Sequence, residues 1–154
     1  MAEGRKYEEV VLMTASLARL LRQSISNEDE VVPLAREVEY AKGYLTIQKM
    51  RYKDKLEFEI DVEPSILNIP LIKLVLQPII ENAIYHGLKY KESKGLLQVK
   101  GFMKDGNAVL QVIDNGVGMD EETLSHIYDK HKVNYHSNGV GVYNVQKRLK
   151  LYYG

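Results

Sequence analysis

The stretch VIDNGVGMD, residues 112–120, passes from an apolar run into an acid, an amide and two glycines. The preceding run AVLQVI, residues 108–113, is apolar enough to predict a buried strand. Asp114 is therefore expected at the end of a strand, beside Gly116 and Gly118, where backbone without side chains can approach a ligand closely. On its own, the same pattern is also typical of a tight glycine turn that binds nothing.

The chemistry of this stretch narrows its possible ligands. A calcium-binding EF-hand is excluded, because Gly116 and Gly118 occupy the third and fifth loop positions, which need oxygen-bearing side chains. A carboxylate held at a strand end only accepts hydrogen bonds. Asp114 would therefore suit an exocyclic amine, such as adenine N6, and would reject the carbonyl of guanine.

A second stretch, QPIIENAIYHG at residues 77–87, lies in a helix predicted over residues 70–86. Its apolar stripe consists of Leu71, Val75, Ile79 and Ala83. Asn82 and His86 project into the same arc, one turn apart. An amide oxygen there suits a hard cation such as Mg²⁺ with its phosphates. The alternative is a hydrogen-bonded core asparagine beside a histidine at the helix end.

Two other residues of this helix carry expectations. Pro78 removes one backbone hydrogen bond and is expected to kink the helix. Glu81 points to a different side from Asn82 and is typical of a solvated acid.

A third stretch, NGVGVYNVQKRL at residues 138–149, places Gly139 and Gly141 where a helix over residues 140–152 is expected to begin. Unpaired N–H groups and the helix dipole make such a start a good anion site. It is not a dinucleotide-binding fingerprint, because Asn144 occupies the third glycine position and no strand precedes it. No Walker A sequence occurs in the chain. A flexible helix start without a ligand is the alternative.

Hydrophobic periodicity predicts the remaining elements. They are helices over residues 7–25 and 33–52, a half-exposed strand over residues 55–62, and a hairpin of strands at residues 96–103 and 108–113. Residues 119–138 are polar and irregular, with one helical turn near Glu121, and are expected to form a mobile lid. Helices grouped apart from a meander of strands predict an α+β sandwich, with the first helix standing outside it.

Composition excludes several classes of function. The 154 residues are enough for about one domain, and the 21 basic and 21 acidic residues cancel. That balance gives no electrostatic reason to expect nucleic acid or an anionic membrane as partner. Without cysteine there are no disulfides or thiolate metal sites. No apolar run spans a bilayer and no signal peptide opens the chain, so we expect a soluble, cytoplasmic domain.

In order along the chain, the three stretches predict a nucleotide site, and they resemble known motifs. ENAIYHG resembles the N box, DNGVG the G1 box and GVGV the G2 box of the GHKL ATPase superfamily. Two flanking stretches, PLAREVEYAKGYLTIQKMRY and NVQKRLKLYYG, are similar to the LytS/YesM-type subgroup of two-component sensor histidine kinases. The resemblance covers roughly residues 17–154.

The resemblance implies a fold and a set of site residues. The fold would be a two-layer α/β sandwich of the GHKL (Bergerat) type, with a mixed sheet covered by helices on one face and an extra N-terminal helix. The ligands would be ATP and Mg²⁺. Their expected contacts are Asn82 on the metal, Asn82 and His86 on the nucleotide, Asp114 on adenine, Gly116 and Gly118 against the base, and Gly139 and Gly141 near the phosphates. Glu81, Asn82 and His86 would be the catalytic candidates.

The resemblance also implies an activity and a larger parent protein. The activity would be phosphoryl transfer from ATP to a histidine, then to an aspartate of a response regulator. Residues 1–30 would be a remnant of the dimerisation hairpin, and residues 31–154 the ATP-binding domain without its last strands. The parent would be a homodimer anchored in the bacterial cell membrane through segments absent from this chain.

The chain departs from the subgroup in three ways, and one of them favours an alternative function. Tyr85 stands where the subgroup usually has a lysine, no NPHFLYN-like phosphoacceptor motif occurs, and the two strands that follow LYYG in the family are missing. The alternative is an ATP-gated conformational module, or a degenerate kinase that binds nucleotide without transferring phosphate. Tyr85 is the feature that favours it.

Overall fold

The computed structural model describes residues 10, 11, 14, 18, 30–126 and 140–154. Of the helix predicted over residues 7–25, the four described residues are helical, and Thr14 Oγ1 donates to the carbonyl of Val10 at 2.8 Å. The rest of that helix lies outside the described residues, as do residues 127–139 of the expected lid. The domain boundary near residue 30 stays a prediction.

From residue 30 onward, the described fold contains five strands and four α-helices. They are β1 (Val31–Pro33), α1 (Leu34–Tyr52), β2 (Leu56–Val62), β3 (Pro70–Ile72), α2 (Leu76–Asn82), β4 (Gly95–Lys104), β5 (Asn107–Asp114), α3 (Glu121–His126) and α4 (Val140–Tyr153). A π-helix, Ala83–Leu88, continues α2, and short 3₁₀ turns lie at Lys53–Lys55 and Pro64–Ile66. The structure confirms the predicted helix over residues 33–52 and the predicted strand over residues 55–62, which are α1 and β2. It also confirms the hairpin, the helical turn near Glu121 and the last helix.

The main sheet is mixed, with strand order β2-β4-β5. β2 pairs with β4 in parallel, and β4 pairs with β5 as an antiparallel hairpin. Asp105 and Gly106 form the two-residue loop, with φ of 49° and 79°. Positive φ at both positions is typical of a type I′ turn, which matches the twist of the strands it joins.

Helices cover one face of this sheet. Along β4, Leu97 and Val99 are fully buried, and they pack in one core with residues of α1 and α2 such as Leu45 and Ile80. The residues that alternate with them face the other way, where Gln98 Nε2 donates to a carboxylate oxygen of Glu59 at 2.6 Å. This period of two, with buried residues toward the helices and more accessible residues on the other face, confirms the α+β class and the mixed sheet covered on one face.

The prediction of one helix over residues 70–86 is wrong at its start. Pro70–Ile72 forms β3, which pairs antiparallel with β1, so Leu71 belongs to a strand and not to the helical stripe. Leu74 then takes a left-handed conformation, with φ of 62°, and α2 begins at Leu76. Long-range pairing with β1 overrides the local helical pattern, and such a partner is not visible in a local window.

The late start of α2 also corrects the expectation for Pro78. Pro78 is the third residue of α2, and the N–H groups of a first turn have no partner within the helix. Pro78 therefore removes no hydrogen bond from within the helix and gives no reason for the helix to kink. The irregularity comes later, where the helix widens into the π-helix at Ala83–Leu88.

A smaller core attaches α4 to α2. Val145 of α4 packs against Ile72 and Val75, and all three are nearly inaccessible to solvent. The main-chain N–H of Ile72 also donates to the Tyr153 hydroxyl at 3.2 Å. α4 therefore lies along the same side of the fold as the start of α2, which places its first turn near the helix that carries Asn82.

Candidate functional site

The end of β5 fixes the carboxylate of Asp114. Asp114 is opposite the buried Leu97 in the hairpin, so its side chain lies on the face of the sheet that the helices cover. Its Oδ1 accepts a hydrogen bond from the N–H of Gly116 at 2.9 Å. A Cβ on Gly87 would lie 2.6 Å from that oxygen, so the carboxylate sits directly against the end of the π-helix. Among the described residues, no donor reaches Oδ2.

The two glycine-containing motifs meet backbone to backbone. A Cβ built on Gly116 would overlap main-chain atoms of Gly87, and the N–H of Val117 donates to the Gly87 carbonyl at 3.0 Å. Gly118 has a φ of 75°, and no atom of the described residues lies within 4 Å of a Cβ built on it. The structure therefore brings Asp114 and Gly116 together with the last residue of the ENAIYHG stretch, as the shared site requires.

Asn115 holds this turn onto the sheet, a role that sequence reasoning missed. Its main-chain N–H donates to the Leu96 carbonyl at 3.2 Å, and its side-chain oxygen accepts from the Leu96 N–H at 2.8 Å. The ammonium of Lys91 donates to the Asn115 carbonyl at 2.5 Å. The sequence does contain a signal for this role. An asparagine directly after a strand can extend the hydrogen bonding of the sheet through its side-chain amide.

Asn82 and His86 lie one turn apart and are both half-buried. The turn between them belongs to the π-helix, in which the N–H of Lys89 donates to the carbonyl of Ile84 at 2.9 Å, five residues back. Such widened turns are frequent at functional sites. Among the described residues, the Asn82 side chain has no hydrogen-bond partner, so its amide oxygen is available to a ligand.

The environment of His86 favours its neutral form. Burial lowers the pKa of His86, and the positive charge of Lys89 lowers it further. A neutral imidazole has one donor and one acceptor nitrogen, so His86 can form a hydrogen bond of either kind with a bound molecule.

Glu81 is partly buried near Tyr44 of α1, so the expectation of a solvated acid is wrong. Its carboxylate accepts from Gln77 Nε2 at 2.8 Å. Burial raises the pKa of Tyr44 in α1 to about 12, with the negative charge of Glu81 as the second cause. These contacts place Glu81 at the junction of α1 and α2.

At the start of α4, Gly141 approaches α2 loosely. A Cβ there would lie 3.6 Å from Pro78, which is ordinary van der Waals contact. Gly139 lies outside the described residues. The anion site expected at this helix start is therefore described only through Gly141.

Tyr85 is half exposed and lies beside a cation. Its side chain is 51% accessible, and the ammonium of Lys89 lies 4.7 Å from the centre of its ring. Lys89 follows one turn later on the same segment, so a positive charge lies close to Tyr85.

Comparison with protein families assigns the chain to a family. Residues 68–154 match the family described as histidine kinase-, DNA gyrase B-, and HSP90-like ATPase. The chain belongs to this ATPase family. Residues 1–56 match a second family, described as histidine kinase. The resemblance to the GHKL superfamily is thereby confirmed, and the family's ATPase domain binds ATP.

Individual relatives agree with this assignment. The chain is 34% identical over 136 residues to the sensor protein LytS of Oceanobacillus iheyensis, covering 86% of this chain and 23% of the relative. It is 29% identical over 154 residues to the sensor histidine kinase YesM of Bacillus subtilis, covering 100% of this chain and 25% of the relative. The chain thus spans about a quarter of the length of these relatives.

Solved structures share the fold at low identity. A histidine kinase domain from the blue-light activated histidine kinase of Erythrobacter litoralis aligns with a TM-score of 0.55 and 13% identity, over 96% of this chain and 63% of that one. The mycobacterial sensor histidine kinase MprB aligns with a TM-score of 0.54 and 20% identity, over 81% and 80%. Both confirm the architecture. No helix in the described part of the chain is long and apolar enough to cross a membrane.

Proposed function

We propose that this chain is the ATP-binding kinase domain of a sensor histidine kinase. It would bind Mg·ATP and transfer the γ-phosphoryl group to a histidine, for relay to a response regulator. The observation that carries the proposal is the Asp114 carboxylate, held at the end of β5 against Gly87 with one oxygen left without a donor among the described residues.

Asp114 supplies the proposed adenine contact. Oδ1 is engaged by the N–H of Gly116, which fixes the plane of the carboxylate. Oδ2 can then accept from the exocyclic amine of adenine, whereas the carbonyl of guanine would meet it with a second acceptor. The open space around Gly118 leaves room for the ring.

Asn82 supplies the proposed metal contact. Within the described residues, no cluster of three or more His, Asp or Glu side chains could hold a metal ion. A single amide oxygen can serve Mg²⁺ nonetheless, because this ion keeps several waters and takes further ligands from substrate phosphates. When bound, the ion would neutralise charge on the phosphates. Asn82 would orient the ion, and the neutral His86 would form a hydrogen bond with the nucleotide.

Transfer itself depends on positioning. A loose phosphoryl-transfer transition state asks little covalent chemistry of the protein, so alignment and electrostatic stabilisation supply the rate. Among the catalytic candidates, Asn82 and His86 would align the nucleotide. Glu81 lies at the junction of α1 and α2. If the acceptor histidine belongs to a segment that precedes α1 in the parent, Glu81 would face the side from which this histidine approaches.

Two partners follow from this proposal. The parent would work as a homodimer that presents the acceptor histidine, and a response regulator would receive the phosphoryl group. The parent would be anchored in the bacterial membrane, with this domain in the cytoplasm.

A second candidate function is nucleotide binding without transfer, as a conformational module or a degenerate kinase. It is favoured by Tyr85, which is half exposed where the subgroup carries a lysine. The nearby ammonium of Lys89 weighs against it, because it can supply a positive charge in that region.

Two experiments test the proposal. Calorimetric titration with Mg·ATP and Mg·GTP should give clearly tighter binding of ATP, and equal affinities would overturn the adenine assignment. Incubation with γ-labelled ATP and a separately supplied phosphoacceptor domain should give acid-labile label on that domain. Tight ATP binding without any transfer would favour the second candidate.

A further inference from the structure

The start of α2 is held by a buried carboxylate from another helix. Glu37 of α1 is only 2% exposed. Its Oε1 accepts from the N–H of Leu74 at 2.8 Å, and its Oε2 from the N–H groups of Val75 and Leu76 at 2.9 and 3.1 Å. A negative charge there satisfies unpaired donors of the first turn and complements the helix dipole.

A guanidinium from α4 holds the other side of the same segment. Arg148 Nη2 donates to the carbonyl of Lys73 at 2.8 Å, and Nη1 donates to the carbonyl of Leu74 at 3.2 Å. No hydrogen bond or ion pair joins Arg148 directly to Glu37 in the described part of the chain. The two charged groups instead bind opposite sides of the chain between β3 and α2.

These contacts involve the same peptide groups. The Lys73 carbonyl and the Leu74 N–H belong to one peptide group, and the Leu74 carbonyl and the Val75 N–H belong to the next. Each group therefore donates to Glu37 and accepts from Arg148. Two successive peptides connect a forked cation to a forked anion. Because each bond polarises the peptide, the bonds on the two sides strengthen each other.

The segment adopts a conformation that needs such support. Leu74 lies in the left-handed region, with φ of 62°, although its side chain is 45% exposed and gains little from burial. Non-glycine residues persist in this region when the surrounding structure determines them. The paired bonds from Glu37 and Arg148 supply that constraint.

We propose that Glu37 and Arg148 are positioning residues for the nucleotide site, acting through the peptides of residues 73–75. We call this arrangement the peptide latch. It sets α4, whose first residues belong to the GVGV stretch, relative to α2, which carries Asn82. It also ties α4 to α1. The proposal rests on the proposed function for its effect on nucleotide binding, but not for the coupling between the two side chains.

The latch gives a signature at atoms that Arg148 does not touch. In Arg148→Gln, the amide protons of Leu74 and Val75 should exchange with solvent faster, because the carbonyls of their peptide groups lose the guanidinium. The Leu76 amide is the internal control: it also donates to Glu37, but its peptide carbonyl receives no bond from Arg148. Unchanged exchange at Leu74 and Val75, or an equal increase at Leu76, would overturn the latch.

The second measurement is Mg·ATP affinity by calorimetry. Arg148→Gln should weaken binding by about threefold to tenfold, the size typical of mutations that act between sites. The matched control is Lys147→Gln, which removes the same charge from an exposed neighbour on α4 and should leave the affinity unchanged. Arg148→Lys, a charge without the fork, should restore only part of the affinity. Equal affinities for Arg148→Gln and Lys147→Gln would overturn the positioning role.

Two further results separate the possible failures. Failure of the unmodified chain to bind Mg·ATP would overturn the proposed function, while amide exchange would still test the latch. The double variant Glu37→Arg with Arg148→Glu should not recover Mg·ATP affinity. In this variant the arginine would point its own N–H donors at main-chain N–H groups, and the glutamate would point its acceptor oxygens at main-chain carbonyls. Recovery would show that an ordinary ion pair suffices, and would contradict the latch.

Discussion

Gly116 at the end of β5 is pressed against main-chain atoms of Gly87, whereas Gly141 at the start of α4 has only loose contact with Pro78. Both glycines lie in stretches that resemble motifs of the same superfamily, and in the sequence they look alike. In the first region the protein itself leaves no room for a side chain. In the second region the described residues leave room for a side chain, so we expect any need for glycine to come from a bound ligand.

This difference separates structural from ligand-imposed constraints. The end of β5 is part of the folded framework: Asn115 extends the sheet, Val117 bonds to the π-helix, and Gly116 permits the contact. Substitution there should alter stability first and binding second. At Gly141 the order should be reversed, with binding lost while stability is kept.

The largest expected effect is on Gly116→Ala. Its Cβ would overlap the Gly87 backbone, so the free energy of unfolding should fall by about 2–3 kcal/mol or more. Urea denaturation measures this directly. The matched control is Gly43→Ala, which meets open space within α1 and should be stabilising by about 0.5–1 kcal/mol. Similar free energies of unfolding for the two variants would contradict the claim that the fold itself requires glycine at position 116.

Asn82→Ala tests the helix that lies between the two regions. Without its amide oxygen, Mg·ATP affinity should fall by about tenfold, whereas binding of metal-free ATP should change much less. Calorimetry with and without Mg²⁺ separates the two. A loss of thermal stability with unchanged Mg²⁺ dependence would instead identify Asn82 as a structural residue of the core.

Gly141→Ala tests the second region. Alanine is favoured over glycine within a helix, so the free energy of unfolding should stay the same or rise by about 0.5–1 kcal/mol. Mg·ATP affinity should nonetheless fall by about fivefold, which corresponds to roughly 1 kcal/mol of crowding at the phosphates. Unfolding and calorimetry on the same sample give both numbers. Reduced stability with intact binding would reverse the assignment of the two glycines.

The smallest expected effect concerns pH and His86. Its pKa is lower in the folded state than its ordinary value of 6.5, so the unfolded chain binds the proton more readily. Its contribution to stability is therefore present above pH 6.5 and is lost as the pH falls toward the folded-state pKa. His86→Gln should flatten the dependence of urea midpoint on pH between 7 and 5. An unchanged slope would show that other groups cause it.

Local patterns in the sequence predict much of this fold. The alternation in β2, the hairpin around Asp105 and Gly106, and the placement of Asp114 at a strand end all follow from neighbouring residues. The hairpin turn even has the residue types its backbone requires. These features need no knowledge of distant partners, which is why the sequence reveals them.

Features that depend on distant partners were not predictable. Residues 70–72 form a strand because β1 lies beside them, and Gly87 is required because Asp114 and Gly116 approach it. Glu37 gave a weak signal, since it falls four residues before the buried Ala41 on the same helical face. Nothing in the sequence connects it with Arg148, because their link passes through peptide groups, which every residue possesses.

The central claim, that the Asp114 carboxylate reads adenine, is tested most directly by Asp114→Asn. The amide oxygen can still accept from the Gly116 N–H, while an NH₂ group replaces the oxygen that would face the base. Calorimetry should show ATP affinity reduced by roughly tenfold to a hundredfold, the loss of about 1.5–3 kcal/mol for a charge-assisted bond. GTP affinity should hold or rise, because the new donor can reach the guanine carbonyl. An unchanged ATP affinity, or an equal fall for both nucleotides, would contradict the account.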